Sequence, residues 1–99
     1  MRPKDEHYYL VSYDIRDDRR WRRLYRLLRG YGQWLQLSVF QCKLSPVRRE
    51  RMLGKLDAMI EPGEDHVVCL DLGPADGVRL QITSLGRPYR AVETGPKVL

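Results

Sequence analysis

The sequence predicts an α+β fold, with one antiparallel sheet covered on one face by two helices. Three observations carry this prediction. Short β-prone runs and helix-period runs follow one another in the order β-α-β-β-α-β. The chain has 99 residues, which is room for one domain. Hydrophobic residues make up 42% and charged residues 31%, an ordinary globular balance that excludes wholesale disorder.

The first strand is expected over Tyr8 to Ile15 (YYLVSYDI), rich in aromatic and β-branched residues and free of charge until Asp14. Its alternation puts Tyr9, Val11, Tyr13 and Ile15 on one face and Tyr8, Leu10, Ser12 and Asp14 on the other. Asp17 and Asp18 offer an N-cap, and their charge suits a helix N-terminus. A helix is expected from about Asp18 to Gly30. Trp21, Leu24, Tyr25 and Leu28 form its apolar stripe, arginines fill the rest of its circumference, and Gly30 and Gly32 end it.

Trp34 to Leu44 (WLQLSVFQCKL) suits two short strands, or one long strand broken near Gln36–Ser38. Ser45-Pro46 matches an N-cap followed by proline at the first helical position. The second helix would carry Val47, Met52, Leu53, Leu56, Met59 and Ile60, and stop at Pro62-Gly63. His66 to Leu72 is a further strand, closed by Gly73-Pro74. A short apolar piece, Leu80 to Leu85, is expected to add a small terminal strand. The whole is a ferredoxin-like βαββαβ domain over residues 1–86, including that extra strand, followed by a tail over 87–99.

Charge is the informative quantity. Lys and Arg number 18 against 13 Asp and Glu, for a net +5, and 14 of the 18 are Arg. From Arg16 to Arg29 there are seven Arg and two Asp, again +5, so the remaining residues balance to zero. Arginine forks match phosphate geometry, which points to a polyanion partner. The longest uncharged stretch, Gly30 to Cys42, spans 13 residues with three Gln and cannot cross a bilayer. The N-terminal residues show no apolar core of a signal peptide, so a cytoplasmic location is expected, without a membrane. Two cysteines, Cys42 and Cys69, make neither a disulfide framework nor a zinc site.

Asp14 is the first candidate for chemistry, because a carboxylate at a strand end can ligate a hard cation such as Mg²⁺. One carboxylate is too few for a good site, but a two-fold dimer would present two. The arginine helix is the second candidate. A solvated face would carry Glu at i±4, and there is none between Arg19 and Arg29, so these side chains read as contacts to a nucleic-acid backbone. Tyr8, Tyr9, Tyr13, Trp34 and Phe40 could stack on bases, although strand aromatics more often serve a core or dimer interface. His7 and His66 are isolated, and no phosphate-cradling glycine loop is present.

Three pieces of the chain together resemble the Cas-two (Cas2) family of CRISPR-associated proteins. Tyr13-Asp14-Ile15 with Asp17-Asp18 is similar to its strand-end signature. Arg19 to Leu28 resembles its basic first helix, and Tyr31-Gly32 with Gln36 to Phe40 resembles its YG…Q-x-SVF block. The likeness covers roughly residues 8–86. It implies a homodimer whose last strand crosses to the partner's sheet. Asp14 would be the catalytic metal ligand, one from each protomer. It also implies Mg²⁺-dependent endonuclease action on single-stranded RNA or duplex DNA, and a bridging role between Cas-one integrase subunits in spacer acquisition. Arg16, Arg19, Arg20, Arg23 and Arg26 would contact nucleic acid, and Tyr13, Ser38 and Phe40 match the signature block. Trp21 stands where members of the family often carry a basic residue, and reads as core. Two alternatives stay beside the nuclease: a non-catalytic DNA-binding adaptor, and a related toxin-type ribonuclease of the same fold.

Overall fold

A computed structural model describes residues 5–86 of the chain. The elements are β1 His7–Asp14, α1 Asp18–Arg29, β2 Gly32–Gln36, β3 Val39–Leu44, α2 Pro46–Met59 and β4 His66–Pro74. The strands form one sheet in the order β2-β3-β1-β4, and every neighbouring pair is antiparallel. This is the predicted ferredoxin-like α+β fold.

Alternation along β1 decides which face is covered. Tyr9, Val11 and Tyr13 are buried, whereas Ser12 and Asp14 are exposed. Phe40, Cys42 and Leu44 of β3 join the buried set, as do Leu24, Tyr25 and Leu28 of α1 and Met52 and Leu56 of α2. Both helices therefore pack on the odd-numbered face of β1. Burial of this size of side chain stabilises by roughly 1.5–3 kcal/mol each.

Local chemistry sets the boundaries. The Asp17 side chain accepts the Arg20 N–H and starts α1; Ser45 accepts the Arg48 N–H and starts α2, with Pro46 beside it. The Trp34–Leu44 stretch breaks into a hairpin at Leu37-Ser38, where Leu37 adopts φ +36°. Gly32 is needed for close approach, because a Cβ there would press on the Gln41 carbonyl oxygen and the Cys42 sulfur.

One expected element does not form. The segment 80–85 has no ladder partner among the described residues, and Ile82 and Leu85 lie exposed. A strand persists only where a neighbour takes up its backbone groups, and no edge in the single chain is used for this. The expected tail over 87–99 lies outside the described residues. Among the described residues no helix is long and apolar enough to cross a membrane.

Candidate nucleic-acid interface

Asp14 is the last residue of β1, and alternation turns it to the sheet face that carries no helix. Its ladder partner is His66, the first residue of β4. The same face displays Leu10, paired with Leu70, and Ser12, paired with Val68. Leu70 is 52% exposed and Val68 45%, so an apolar surface adjoins the carboxylate. Among the described residues no three His, Cys, Asp or Glu side chains converge to hold a metal. Asp14 is the hard oxygen donor that this strand end presents on the uncovered face.

The arginines stand on the other side of the sheet, with the helices. Arg19, Arg22, Arg23 and Arg26 are exposed along α1, and Arg16 is exposed in the β1–α1 connection. Arg22 joins the residues expected to form this surface. Arg20 does not stand with them. Its Nε donates to Asp65 Oδ2 at 2.7 Å, and its Nη2 donates to Asp65 Oδ1 at 3.2 Å and to Glu64 Oε1 at 2.8 Å. The guanidinium fork expected to grip phosphate is thus spent inside the fold.

Asp65 is the hub of this knot. Its side chain is 0% exposed, and it also accepts the backbone N–H of Arg16 at 3.0 Å and of Glu61 at 2.8 Å. The Arg20 hydrogen bond, aided by those two N–H donors and opposed by burial, holds its pKa down at about 2. The same contacts, first with Asp65 and then with Glu64, raise Arg20 further above its ordinary range. The knot ties the start of α1 and the end of β1 to the loop before β4. It was missed in the sequence, where the isolated acids Glu61, Glu64 and Asp65 look solvated. The available signal was topological: β4 must begin beside the end of β1, so acids just ahead of it arrive at the first turn of α1.

The signature residues are structural inside one chain. Tyr13 is 4% exposed and Phe40 is fully buried, so neither is available to stack on a base. Burial raises the Tyr13 hydroxyl pKa well above its ordinary value. Ser38 accepts the Trp21 indole N–H at 3.1 Å, and its carbonyl accepts the Tyr13 N–H at 3.0 Å. Trp21 stacks on Tyr25 with centroids 5.5 Å apart, and Phe40 meets Tyr25 edge-on at 5.6 Å. Trp21, read from the sequence as core, is half-buried and packs against the core. Of the aromatics considered for stacking, Tyr8 and Trp34 keep partial exposure, while Tyr9 is buried with the rest.

Comparison with known proteins decides the family. Residues 7–77 match the sequence pattern of the family described as CRISPR associated protein Cas2. The chain belongs to the Cas2 family. A relative from Rhodospirillum rubrum, named CRISPR-associated endoribonuclease Cas2 1, is 49% identical over 92 residues, covering 93% of this chain and 90% of the relative. A CRISPR-associated endoribonuclease Cas2 from Geobacter sulfurreducens is 50% identical over 84 residues, covering 85% and 88%. Among solved structures, Streptococcus pyogenes Cas2 superposes with a TM-score of 0.66 at 27% identity, covering 78% of this chain and 99% of that one. A hypothetical protein from Thermus thermophilus gives a TM-score of 0.71 at 28% identity, covering 86% and 99%. Within a Cas2 fold, then, Asp14 and the α1 arginines occupy opposite faces of one sheet.

Proposed function

We propose that this Cas2 chain acts in the cytoplasm as a homodimeric, Mg²⁺-dependent endonuclease on single-stranded RNA or duplex DNA. The observation that carries the proposal is Asp14 at the end of an uncovered, partly apolar sheet face. Apposing two such faces would cover the exposed Val68 and Leu70 with Leu10 beside them, and a two-fold axis near the end of β1 would set a second Asp14 by the first. Mg²⁺, when held there, supplies an activated water and neutralises charge on the scissile phosphate. Asp14 of each protomer holds the ion. Arg16, beside it in the β1–α1 connection, steadies the backbone, and Arg19, Arg22, Arg23 and Arg26 extend the phosphate track. Arg20 positions α1 through Asp65 and leaves phosphate to its neighbours.

Cleavage of RNA and of duplex DNA by wild type and Asp14→Ala, with and without Mg²⁺, tests this. Loss of Mg²⁺-dependent cleavage with nucleic-acid binding retained is expected. Cleavage that persists in a contaminant-free Asp14→Ala preparation refutes the catalytic role.

A second reading is favoured by the opposition of the two faces. A face-to-face dimer turns both α1 ridges outward, as suits an adaptor that lies along DNA and docks Cas-one integrase subunits during spacer acquisition. On this reading Asp14→Ala leaves acquisition intact, while charge reversal of Arg19 and Arg23 abolishes it.

A further inference from the structure

The β2–β3 turn holds a residue that neither the core nor the Asp14 reading uses. Leu37 is 76% exposed and sits at φ +36°, a region that disfavours any residue with a Cβ. Glycine or asparagine occupies such a position at less cost. An apolar side chain held in strained backbone and turned to water does nothing for the fold, and points to an external contact.

The surroundings say which contact. The turn is pinned by the Trp34 indole N–H on the Leu37 carbonyl at 2.9 Å. Ser38 is bound on both sides, by the Trp21 indole N–H and by the Tyr13 N–H, at 3.1 and 3.0 Å. Those bonds fasten the tip to the end of β1 and the first turn of α1, the end of the molecule that carries Asp14 and the exposed Arg16, Arg19, Arg22 and Arg23. The apolar tip stands at the end of the molecule from which the α1 arginines lead away. It suits a ligand with a charged backbone and flat apolar faces, which is an unpaired stretch of nucleic acid.

We propose that Leu37 is a wedge that packs against an unstacked base of a single strand while the α1 arginines hold its phosphates. This deepens the nucleic-acid reading above and rests on it. It makes Leu37 a determinant of preference for unpaired over fully paired substrate, because a stacked duplex offers no free base face at the same place. The rigid pinning sets the tip in advance, so little ordering is required on binding.

The test uses the full chain with Leu37→Asn and Leu37→Gly, both of which relieve the backbone. A short single-stranded RNA carrying 2-aminopurine is titrated, with a blunt duplex of the same sequence as control. Both variants should melt at or above the wild-type temperature, yet bind the single strand about five- to tenfold more weakly, as expected for one lost base contact. The 2-aminopurine response should fall while the salt dependence of binding stays unchanged. Single-strand affinity and fluorescence response equal to wild type overturn the proposal. So does an equal loss on single strand and duplex, or a change in oligomeric state on sedimentation, which would make Leu37 a protein contact. Arg19→Gln with Arg23→Gln separates the two levels. If that pair weakens binding and Leu37→Asn does not, the wedge alone fails. If wild type shows no salt-dependent binding at all, the underlying nucleic-acid reading fails.

Discussion

Replacing Arg19, Arg22, Arg23 and Arg26 together by glutamine removes four charges that stand exposed along α1. Each phosphate contact on duplex DNA releases counterions and contributes about 0.9 to the slope of log K against log salt. Four lost contacts per protomer therefore flatten the slope by about 3.6. Raising salt from about 50 to 200 mM then weakens the variant about 150-fold less than the wild type. Fluorescence anisotropy at four or five salt concentrations measures this. Arg20→Gln is the internal control. Its guanidinium is already bound to Asp65 and Glu64, so its loss should lower the melting temperature and leave the slope of the folded protein unchanged. The reasoning is refuted if the fourfold variant keeps the wild-type slope, or if Arg20→Gln flattens it as a ridge arginine does.

Three further outcomes follow from the packing. Asp65→Asn should lower the melting temperature at neutral pH, because Arg20 and two backbone N–H groups lose a charged acceptor. The folded Asp65 pKa of about 2 lies below its unfolded value of 3.8, so its stabilisation is present above pH 3.8 and is lost as pH falls toward 2. Melting curves of wild type and variant should accordingly converge over that acidic window; a constant gap would contradict the assignment. Gly54→Ala should stabilise by about 0.5–1 kcal/mol, since Gly54 lies inside α2 and an added Cβ meets nothing within 4 Å, and denaturant unfolding reads the gain. Tyr25→Phe should be neutral, or stabilising by up to about 1 kcal/mol, because the buried Tyr25 hydroxyl has no hydrogen-bond partner among the described residues. A loss beyond about 1 kcal/mol in the same assay would mean the hydroxyl has a partner after all.

What the sequence made legible was local. Asp17 and Ser45 cap their helices by bonds that reach three residues ahead, so the chain order alone exposes them. The alternation of β1 is equally plain, and it puts Asp14 on the face opposite Tyr13. The Arg20–Asp65 knot was not legible, because its partners lie 45 residues apart and meet only when β4 pairs with β1. The absence of acids at i±4 in α1 suggested free arginines; Arg19, Arg22, Arg23 and Arg26 do stand exposed, whereas Arg20 is paired with Asp65 and Glu64. Local spacing cannot report an acid that arrives from another element. The apolar run Leu80–Leu85 is equally plain in the sequence, but among the described residues it pairs with neither edge strand, β2 or β4, and local pattern cannot say which edge, in this chain or a partner's, a strand would join.

The opposition of Asp14 and the arginine ridge constrains how one protein could both cut and hold. A backbone lying along Arg19, Arg22, Arg23 and Arg26 runs over the helix layer, with the sheet between it and Asp14. To reach the carboxylate, a strand has to turn around the end of the molecule where β1 passes into α1. Arg16 occupies that corner, exposed, with its own N–H fastened to Asp65. Leu37 stands at the same end, tied there through Ser38 and Tyr13. A bent or single strand can make that turn at small cost, whereas smoothly bending a duplex by 40–90° costs on the order of 1–6 kcal/mol. Under the proposed function, flexible single strands would therefore take the Asp14 route and duplexes the ridges, so that nuclease and adaptor behaviour would divide by substrate in one dimer.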